Sequence, residues 1–143
     1  MPAGAGRAVA RLAKQVERAL VPLDLSLPQY RVLALLGDGS SASSVLARQL
    51  AVSPPSVTAL IDGLVARDLV ERRADPQDRR RLTLLLTAGG QQILADADTA
   101  AEARLAGIAD YLDDDRDVVV EAIDGWNRAL DRSREEHVKG DAR

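Results

Sequence analysis

Two adjacent prolines, Pro54 and Pro55, follow a serine and constrain the fold of this chain more than any other feature. A proline fits a helix only in its first turn, where the backbone N–H groups have no partner within the helix. The pair therefore predicts that a helix begins here, with Ser53 as its N-cap. Apolar residues at helical spacing extend this helix to about Arg67.

A second, shorter helix is predicted just before this one. Its apolar positions recur at helical spacing and are Val45, Leu46, Ala47 and Leu50. The serine-rich run 40–44 offers several candidates for its N-cap. Only residues 51–53 separate the two helices. Two short helices joined by such a tight turn form a helix-turn-helix, which we place at about residues 42–67.

Two strand-like runs, 70–73 and 82–86, follow the helix-turn-helix and enclose the arginine-rich segment 75–81. Three consecutive arginines on a turn between two strands form a compact positive projection. Such a projection suits the narrow, negative minor groove of DNA. A charge run alone is usually a solvated loop, but its place after a helix-turn-helix predicts the wing of a winged helix, at about residues 70–86.

Helices flank this winged-helix DNA-binding lobe, which we place at residues 28–87. One amphipathic helix is predicted at 6–21, and two more follow Thr87, the expected N-cap of the first of them. Their apolar stripes exceed what the small lobe can cover, so we assign 6–21 and 88–139 to a helical dimerisation region of one domain, 1–143. The predicted fold class is mostly α with a small antiparallel β-ribbon.

Composition excludes several classes of protein. The chain has no Cys, so a disulfide framework, a thiol redox switch and a Cys-ligated metal are excluded. The single His, at position 137, excludes a multi-histidine metal site within one chain. No apolar run approaches the roughly 20 residues that span a bilayer, and the first residues lack the order of a signal peptide. We expect a cytoplasmic protein without cofactors.

The net charge of −3 argues against a nucleic-acid partner, but its distribution does not. Residues 82–143 carry fourteen acidic and seven basic side chains, whereas residues 67–81 carry four acidic and six basic ones. Phosphates respond to charge within about a Debye length, roughly 8–10 Å. Local DNA binding is therefore compatible with an acidic total.

The second helix of a helix-turn-helix lies in the major groove of DNA. Its predicted outward residues here are Ser53, Pro55, Ser56, Thr58, Ala59 and Asp62. Ser53 is expected to cap the helix, and Ser56 and Thr58 to contact DNA. Because this surface carries no Arg, Lys, Asn or Gln, we expect it to discriminate by fit while the wing supplies the electrostatic affinity.

The wing residues are expected to have two roles: some contact the DNA groove, and others stabilise the wing through ion pairs. Arg79 and Arg80 lie nearest the turn and are the predicted groove probes, and Arg81 is expected to meet a phosphate or an acidic side chain. Asp78, and by the same reasoning Asp75, is expected to brace the wing through an arginine at the strand base. The two candidate arginines are Arg72 and Arg73.

Residues 46–90 resemble the MarR family of winged-helix transcription regulators. The matching elements are Leu46-Ala47, Leu50, Ser56-Val-Thr58, Leu64, Asp68-Leu-Val70, Arg72, Asp78-Arg-Arg80, Leu86-Thr87 and Gly90. The resemblance implies a homodimer whose wings straddle a pseudo-palindromic operator in double-stranded DNA, with Arg80 in the minor groove. It also implies a repressor, relieved by a small aromatic or phenolic ligand.

The chain departs from the family pattern at several places. Asp68 stands where the family usually has glycine, and Asp tolerates the left-handed conformation better than most residues. Arg81 replaces a usually small residue, and the cysteine of the peroxide-sensing branch is absent.

Tyr30 and Trp126 are candidates for a ligand pocket, with plain core packing as the alternative reading.

Two other function classes remain to be weighed against a DNA-binding regulator. The first is a winged-helix module that assembles with proteins and has no DNA specificity. The effect of replacing Arg79 and Arg80 separates that module from a regulator. The second class is an enzyme, which the sequence disfavours because it has no Cys nucleophile and no Gly-rich phosphate loop.

Overall fold

The structure is a computed structural model that describes residues 1–39, 41–74 and 82–140, with side chains described up to residue 133. The helices are α1 (Ala5–Leu20), α2 (Leu27–Gly37), α3 (Ser43–Leu50), α4 (Pro54–Ala66), α5 (Ala88–Ala109) and α6 (Arg116–Gly140). Short 3-10 helices occupy Val21–Leu23 and Asp110–Asp115. The strands are β1 (Val70–Ala74) and β2 (Leu82–Leu86). The predicted class, mostly α with a small antiparallel ribbon, is confirmed.

The chain divides into two compact units, Met1–Arg104 and Leu105–Arg143, and the boundary falls within α5. The first unit contains α1 and most of α5 together with the winged-helix elements. Its largest fully buried side chains come from four helices and both strands and are Leu20, Leu33, Leu46, Ile61, Leu64, Leu84, Val32, Val57 and Val70. The core is therefore aliphatic, as the lack of Phe in the sequence requires.

The turn of the helix-turn-helix forms as the sequence predicts. Ser53 has extended backbone angles, and its hydroxyl oxygen accepts from the Ser56 N–H at 3.4 Å. Pro54 and Pro55 occupy the first two positions of α4. Ala51 ends α3 in the left-handed conformation, with φ at 55°. This conformation reverses the chain within three residues and sets α4 against α3.

Two helix boundaries differ from the sequence-based expectation. The N-cap of α3 is Ala42, which has no capping side chain, so the expected serine cap is wrong. At Pro22 the chain continues as a 3-10 turn and does not simply stop, because a proline fits the first turn of a new helix. The two helices expected after Thr87 are α5, which ends at Ala109, and α6, and a 3-10 segment with a non-helical residue at Asp113 lies between them.

The β-ribbon is held at its base by contacts with its neighbours. Its strands are antiparallel, with Val70 opposite Leu86 and Ala74 opposite Leu82. Ser41 forms an isolated bridge with Leu84 on the other edge of β2. The base of the wing is thereby fixed against the start of the helix-turn-helix.

The loop between α4 and β1 contains the predicted left-handed aspartate. Asp68 has φ at 54°, which confirms the expectation that it substitutes for glycine in this conformation. Thr87 Oγ1 donates to the Asp68 carbonyl oxygen at 2.6 Å and accepts from the Gly90 N–H at 2.9 Å. A Cβ atom at Gly90 would lie 1.9 Å from the carbonyl oxygen of Leu69. Glycine is therefore required where α5 starts against this loop.

Candidate nucleic-acid interface

The predicted outward face of α4 is exposed along its whole length. Ser53, Pro55, Ser56, Thr58, Ala59 and Asp62 are all exposed. The intervening apolar residues Val57, Ile61 and Leu64 are buried in the core. The 3.6-residue period of the helix therefore separates a packing face from a free face, as the sequence predicts.

The hydroxyl groups on this face are already engaged within the helix. The hydroxyl oxygens of Ser53 and Ser56 lie 2.8 Å apart, within hydrogen-bonding distance. Thr58 Oγ1 donates to the Pro54 carbonyl oxygen at 3.0 Å. The three side chains remain exposed, but their orientations are set by these local bonds.

An ion pair joins α4 to the β-ribbon. The guanidinium of Arg72 on β1 donates to the carboxylate of Asp62 on α4. Arg73, the next residue on β1, pairs with Glu71 at 2.5 Å. The carboxylate of Asp62 points toward the same solvent as the rest of the face and would repel phosphates, so the Arg72 cation offsets that charge.

The predicted wing tip lies outside the described residues. It comprises Asp75, Asp78, Arg79, Arg80 and Arg81. The proposed bracing of Arg72 or Arg73 by the two aspartates therefore stays a prediction. In the described part of the chain, Arg72 pairs with Asp62 and Arg73 with Glu71.

Arg67 is a positioning residue that sequence reasoning missed. It follows α4 directly, and its guanidinium donates to the carbonyl oxygens of Asp24 at 2.5 Å and Leu23 at 3.1 Å. These carbonyls belong to the turn between α1 and α2. Arg67 thereby fixes the C-terminal end of α4, and no sequence signal indicates a contact over more than forty residues.

The two candidate pocket residues belong to different units. Tyr30 on α2 is half-buried and donates a hydrogen bond from its phenol to Asp98 on α5 at 2.5 Å. Burial raises the pKa of Tyr30, and the hydrogen bond and negative charge of Asp98 and the charge of Glu102 add to the effect. Trp126 lies on α6 in the second unit and is 56% exposed. Tyr30 is therefore a partly buried hydrogen-bond donor, whereas the side chain of Trp126 is mostly exposed.

An open groove of about 410 Å³ lies between the end of α2, β2 and α5. Its walls are mainly apolar and include Leu36, Leu85 and Leu94. Gln91 and Asp98 supply polar groups at its border. The same Asp98 carboxylate that accepts from Tyr30 therefore reaches a cavity large enough for a small ring compound.

The described residues show neither a metal site nor a single membrane-spanning helix. No group of three or more His, Cys, Asp or Glu among them is placed to hold a metal ion. None of the described helices alone has the length and hydropathy to cross a membrane. The helix pair Ala5–Leu23 and Leu27–Gly37, which is bent by 86°, together has the length and composition of a membrane span.

Comparison with known proteins identifies relatives of this architecture. The sequence profile of the MarR family matches residues 23–81. The HTH-type transcriptional regulator YhbI of Bacillus subtilis is 33% identical over 109 residues, which cover 75% of this chain and 71% of YhbI. The HTH-type transcriptional repressor Rv2887 of Mycobacterium tuberculosis is 34% identical over 103 residues, 69% of this chain and 74% of the relative.

Solved structures show the same fold. The transcriptional repressor CouR bound to a 23-mer DNA duplex superposes with a TM-score of 0.71 at 28% identity, covering 85% of this chain and 88% of CouR. Rv2887 in complex with salicylic acid has a TM-score of 0.70 at 28% identity, covering 86% of this chain and 93% of that structure. The Ser-capped helix-turn-helix, the antiparallel ribbon and these relatives together show that the chain belongs to the MarR family of winged-helix transcription regulators.

Proposed function

We propose that this protein is a cytoplasmic, homodimeric repressor that binds a pseudo-palindromic operator in double-stranded DNA and is released by a small aromatic ligand. The observation that carries the proposal is the exposed face of α4 joined to the ribbon by the Arg72–Asp62 pair. A helix that is buried on one side and free on the other, next to a cationic ribbon, fits the major groove with its wing on the adjoining groove.

The relatives support the repressor assignment. Rv2887 is a transcriptional repressor, and CouR is a repressor whose structure contains a DNA duplex. Each match covers more than two thirds of this chain and of the relative. DNA is favoured over a protein partner because CouR, a repressor of the same fold, is bound to a DNA duplex.

The apolar stripe of α6 supports a homodimer. Ile123, Trp126 and Leu130 are 49%, 56% and 56% exposed, and Val119 extends the same stripe by one turn. These positions are spaced by three and four residues, so they share one face of the helix. A contiguous apolar face of this kind on one chain is an association surface, and a second copy supplies a matching face.

The groove beside Asp98 supports a small-molecule effector. Its apolar walls suit a ring, and Asp98 in its lining, which Tyr30 holds by a hydrogen bond, supplies an acceptor. The structure of Rv2887 contains salicylic acid, so a relative of this fold takes a phenolic ligand. The other candidate, Trp126, lies on α6 in the second unit, and its contact with a ligand stays a prediction.

The test is footprinting of the purified protein on the DNA that flanks its own gene, with and without salicylic acid. We expect a protected site with two related halves, and weaker protection as the ligand concentration rises. Absence of any protected site would contradict the regulator assignment. Protection that salicylic acid does not change would contradict only salicylic acid as the effector.

The dimer is tested by Ile123→Glu, which puts a charge on the α6 stripe. Sedimentation of the wild type is expected to show a dimer, and the variant is expected to shift toward monomer. Arg128→Glu is the matched control, because Arg128 is exposed on the opposite side of the same helix. A wild-type monomer, or equal effects of both variants, would contradict the assigned dimer surface.

A further inference from the structure

We propose that α4 recognises thymine methyl groups in the major groove, with Thr58 as the specificity-determining residue. The inference rests on the proposed DNA-binding function and names the chemistry that its recognition helix reads. It follows from the side chains that α4 exposes and from the hydrogen bonds that already occupy their polar atoms.

The helix α4 lacks the side chains that read purines by paired hydrogen bonds. Its sequence, PPSVTALIDGLVA, contains no Arg, Lys, Asn or Gln. Arginine and lysine recognise guanine, and asparagine and glutamine recognise adenine. Aspartate and glutamate accept from cytosine, and Asp62, the one acidic residue on this helix, is bound by Arg72.

The hydroxyl of Thr58 is committed to the backbone. Its hydrogen is donated to the Pro54 carbonyl oxygen at 3.0 Å, so the side chain cannot donate to a guanine O6 or N7 without breaking that bond. The hydroxyls of Ser53 and Ser56 bond to each other, which engages one of their two hydrogens. The methyl group of Thr58 takes no part in these bonds and belongs to an exposed side chain.

Three apolar groups share the free face of α4. Pro55 lies three residues before Thr58 and four before Ala59, so its side chain neighbours both, and all three residues are exposed. The C5-methyl of thymine is the apolar group that base pairs present in the major groove. The pyrrolidine ring, the Thr methyl and the Ala methyl therefore match a cluster of thymine methyl groups.

The test replaces thymine by uracil, which removes the methyl group and keeps the base pair and the minor-groove edge that a wing would read. Duplexes that the wild-type protein selects from a random pool are resynthesised with uracil in the half-sites. We expect the dissociation constant to rise about fourfold for each contacted methyl, the equivalent of leaving one such group unburied. Unchanged affinity would overturn the inference.

Protein variants locate the effect at Thr58. Thr58→Ser keeps the hydroxyl and removes the methyl, so the preference for thymine over uracil is expected to shrink. Thr58→Val keeps methyl groups and removes the hydroxyl, and is expected to retain that preference. A preference lost in Thr58→Val and kept in Thr58→Ser would assign recognition to the hydroxyl and overturn the proposal.

The matched control is Thr99→Ser on α5. Thr99 is also exposed, and its hydroxyl also donates to the carbonyl four residues earlier, at 2.9 Å from Ala95. Its variant is expected to leave the thymine preference unchanged, and an equal loss there would overturn the role of Thr58. If the pool yields no selected duplex, the proposed DNA-binding function itself fails. If duplexes are selected but uracil binds as well as thymine, only the inference about thymine methyl groups fails.

Discussion

The free face of α4 and the β-ribbon beside it differ in almost every physical property. The α4 face is small, partly apolar and without a cation of its own. The ribbon has consecutive arginines on β1, and three more arginines lie in the segment between its strands. One surface offers shape and methyl contacts, while the other offers charge.

This difference indicates how one interface can obtain both affinity and selectivity from an acidic protein. Charge contacts with phosphates supply affinity that does not depend on sequence, and contacts with base edges supply the discrimination. When charge is confined to the ribbon, non-specific binding through α4 is small. The Arg72–Asp62 pair is the one place in the described residues where the two surfaces meet through a charge contact.

The largest effect is expected from removing the charge of the wing. Arg79→Ala combined with Arg80→Ala should weaken operator binding roughly 100-fold, since an arginine contact with DNA contributes about 1–3 kcal/mol. Fluorescence anisotropy measures the dissociation constant for the footprinted site, and sedimentation checks that the dimer persists. Unchanged affinity would favour the protein-assembly module over the DNA-binding regulator.

A smaller effect is expected at the contact between the two surfaces. Arg72→Ala leaves the Asp62 carboxylate unpaired toward DNA and should weaken binding roughly tenfold, or about 1.4 kcal/mol. The free energy of unfolding should change little, because exposed ion pairs contribute about 0–1 kcal/mol. In a double-mutant cycle, adding Asp62→Ala should recover part of the affinity. A double variant as weak as Arg72→Ala alone would refute this account of the pair.

Removing the N-cap of α4 tests whether Ser53 stabilises the helix that carries the exposed face. Ser53→Ala should lower the free energy of unfolding by about 1 kcal/mol, whereas Ser53→Gly should lower it by only a few tenths. Urea denaturation of both variants measures the difference. If the two substitutions prove equally mild, Ser53 is not the cap that defines this surface.

The smallest effect on DNA binding is expected from a substitution at Tyr30, which lies neither on the α4 face nor on the β-ribbon. In the folded chain its pKa is raised by burial and by Asp98, so the folded state keeps the phenol proton after the unfolded state has released it. The resulting stability is complete below the ordinary tyrosine pKa of about 10 and declines as the pH rises above it.

Tyr30→Phe should therefore flatten the loss of stability above about pH 10, as followed by urea denaturation between neutral and alkaline pH. The variant should also be less stable at neutral pH, because the Asp98 carboxylate loses its donor. Tyr111→Phe is the matched control, since Tyr111 is 85% exposed. Identical alkaline slopes for wild type and Tyr30→Phe would contradict the role assigned to burial and Asp98.

The features that sequence alone predicted are those with a local cause. The cap of α4 needs only Ser53 followed by two prolines, and the left-handed Asp68 needs only its place between a helix and a strand. The strands of the ribbon and the Thr87 cap of α5 are local in the same sense. Backbone preferences within a few residues decide each of them.

The features that sequence did not predict depend on where distant segments meet. Arg67 contacts carbonyls of the α1–α2 turn, and Tyr30 bonds to Asp98 across 68 residues. The choice of Asp62 as a partner of Arg72 depends on the angle between α4 and β1, which no local pattern encodes. The α3 cap was mispredicted for a related reason, since the Ser41 bridge to Leu84 takes one of the serines into the ribbon.

The most direct test of the division between α4 and the wing is the salt dependence of operator binding. The slope of log affinity against log salt concentration falls by about 0.9 for each phosphate contact that is lost. We predict that Arg79→Ala with Arg80→Ala reduces the slope by about 2, and that Thr58→Ser leaves it unchanged. An unchanged slope in the wing variant, or an equal reduction by Thr58→Ser, would contradict the account.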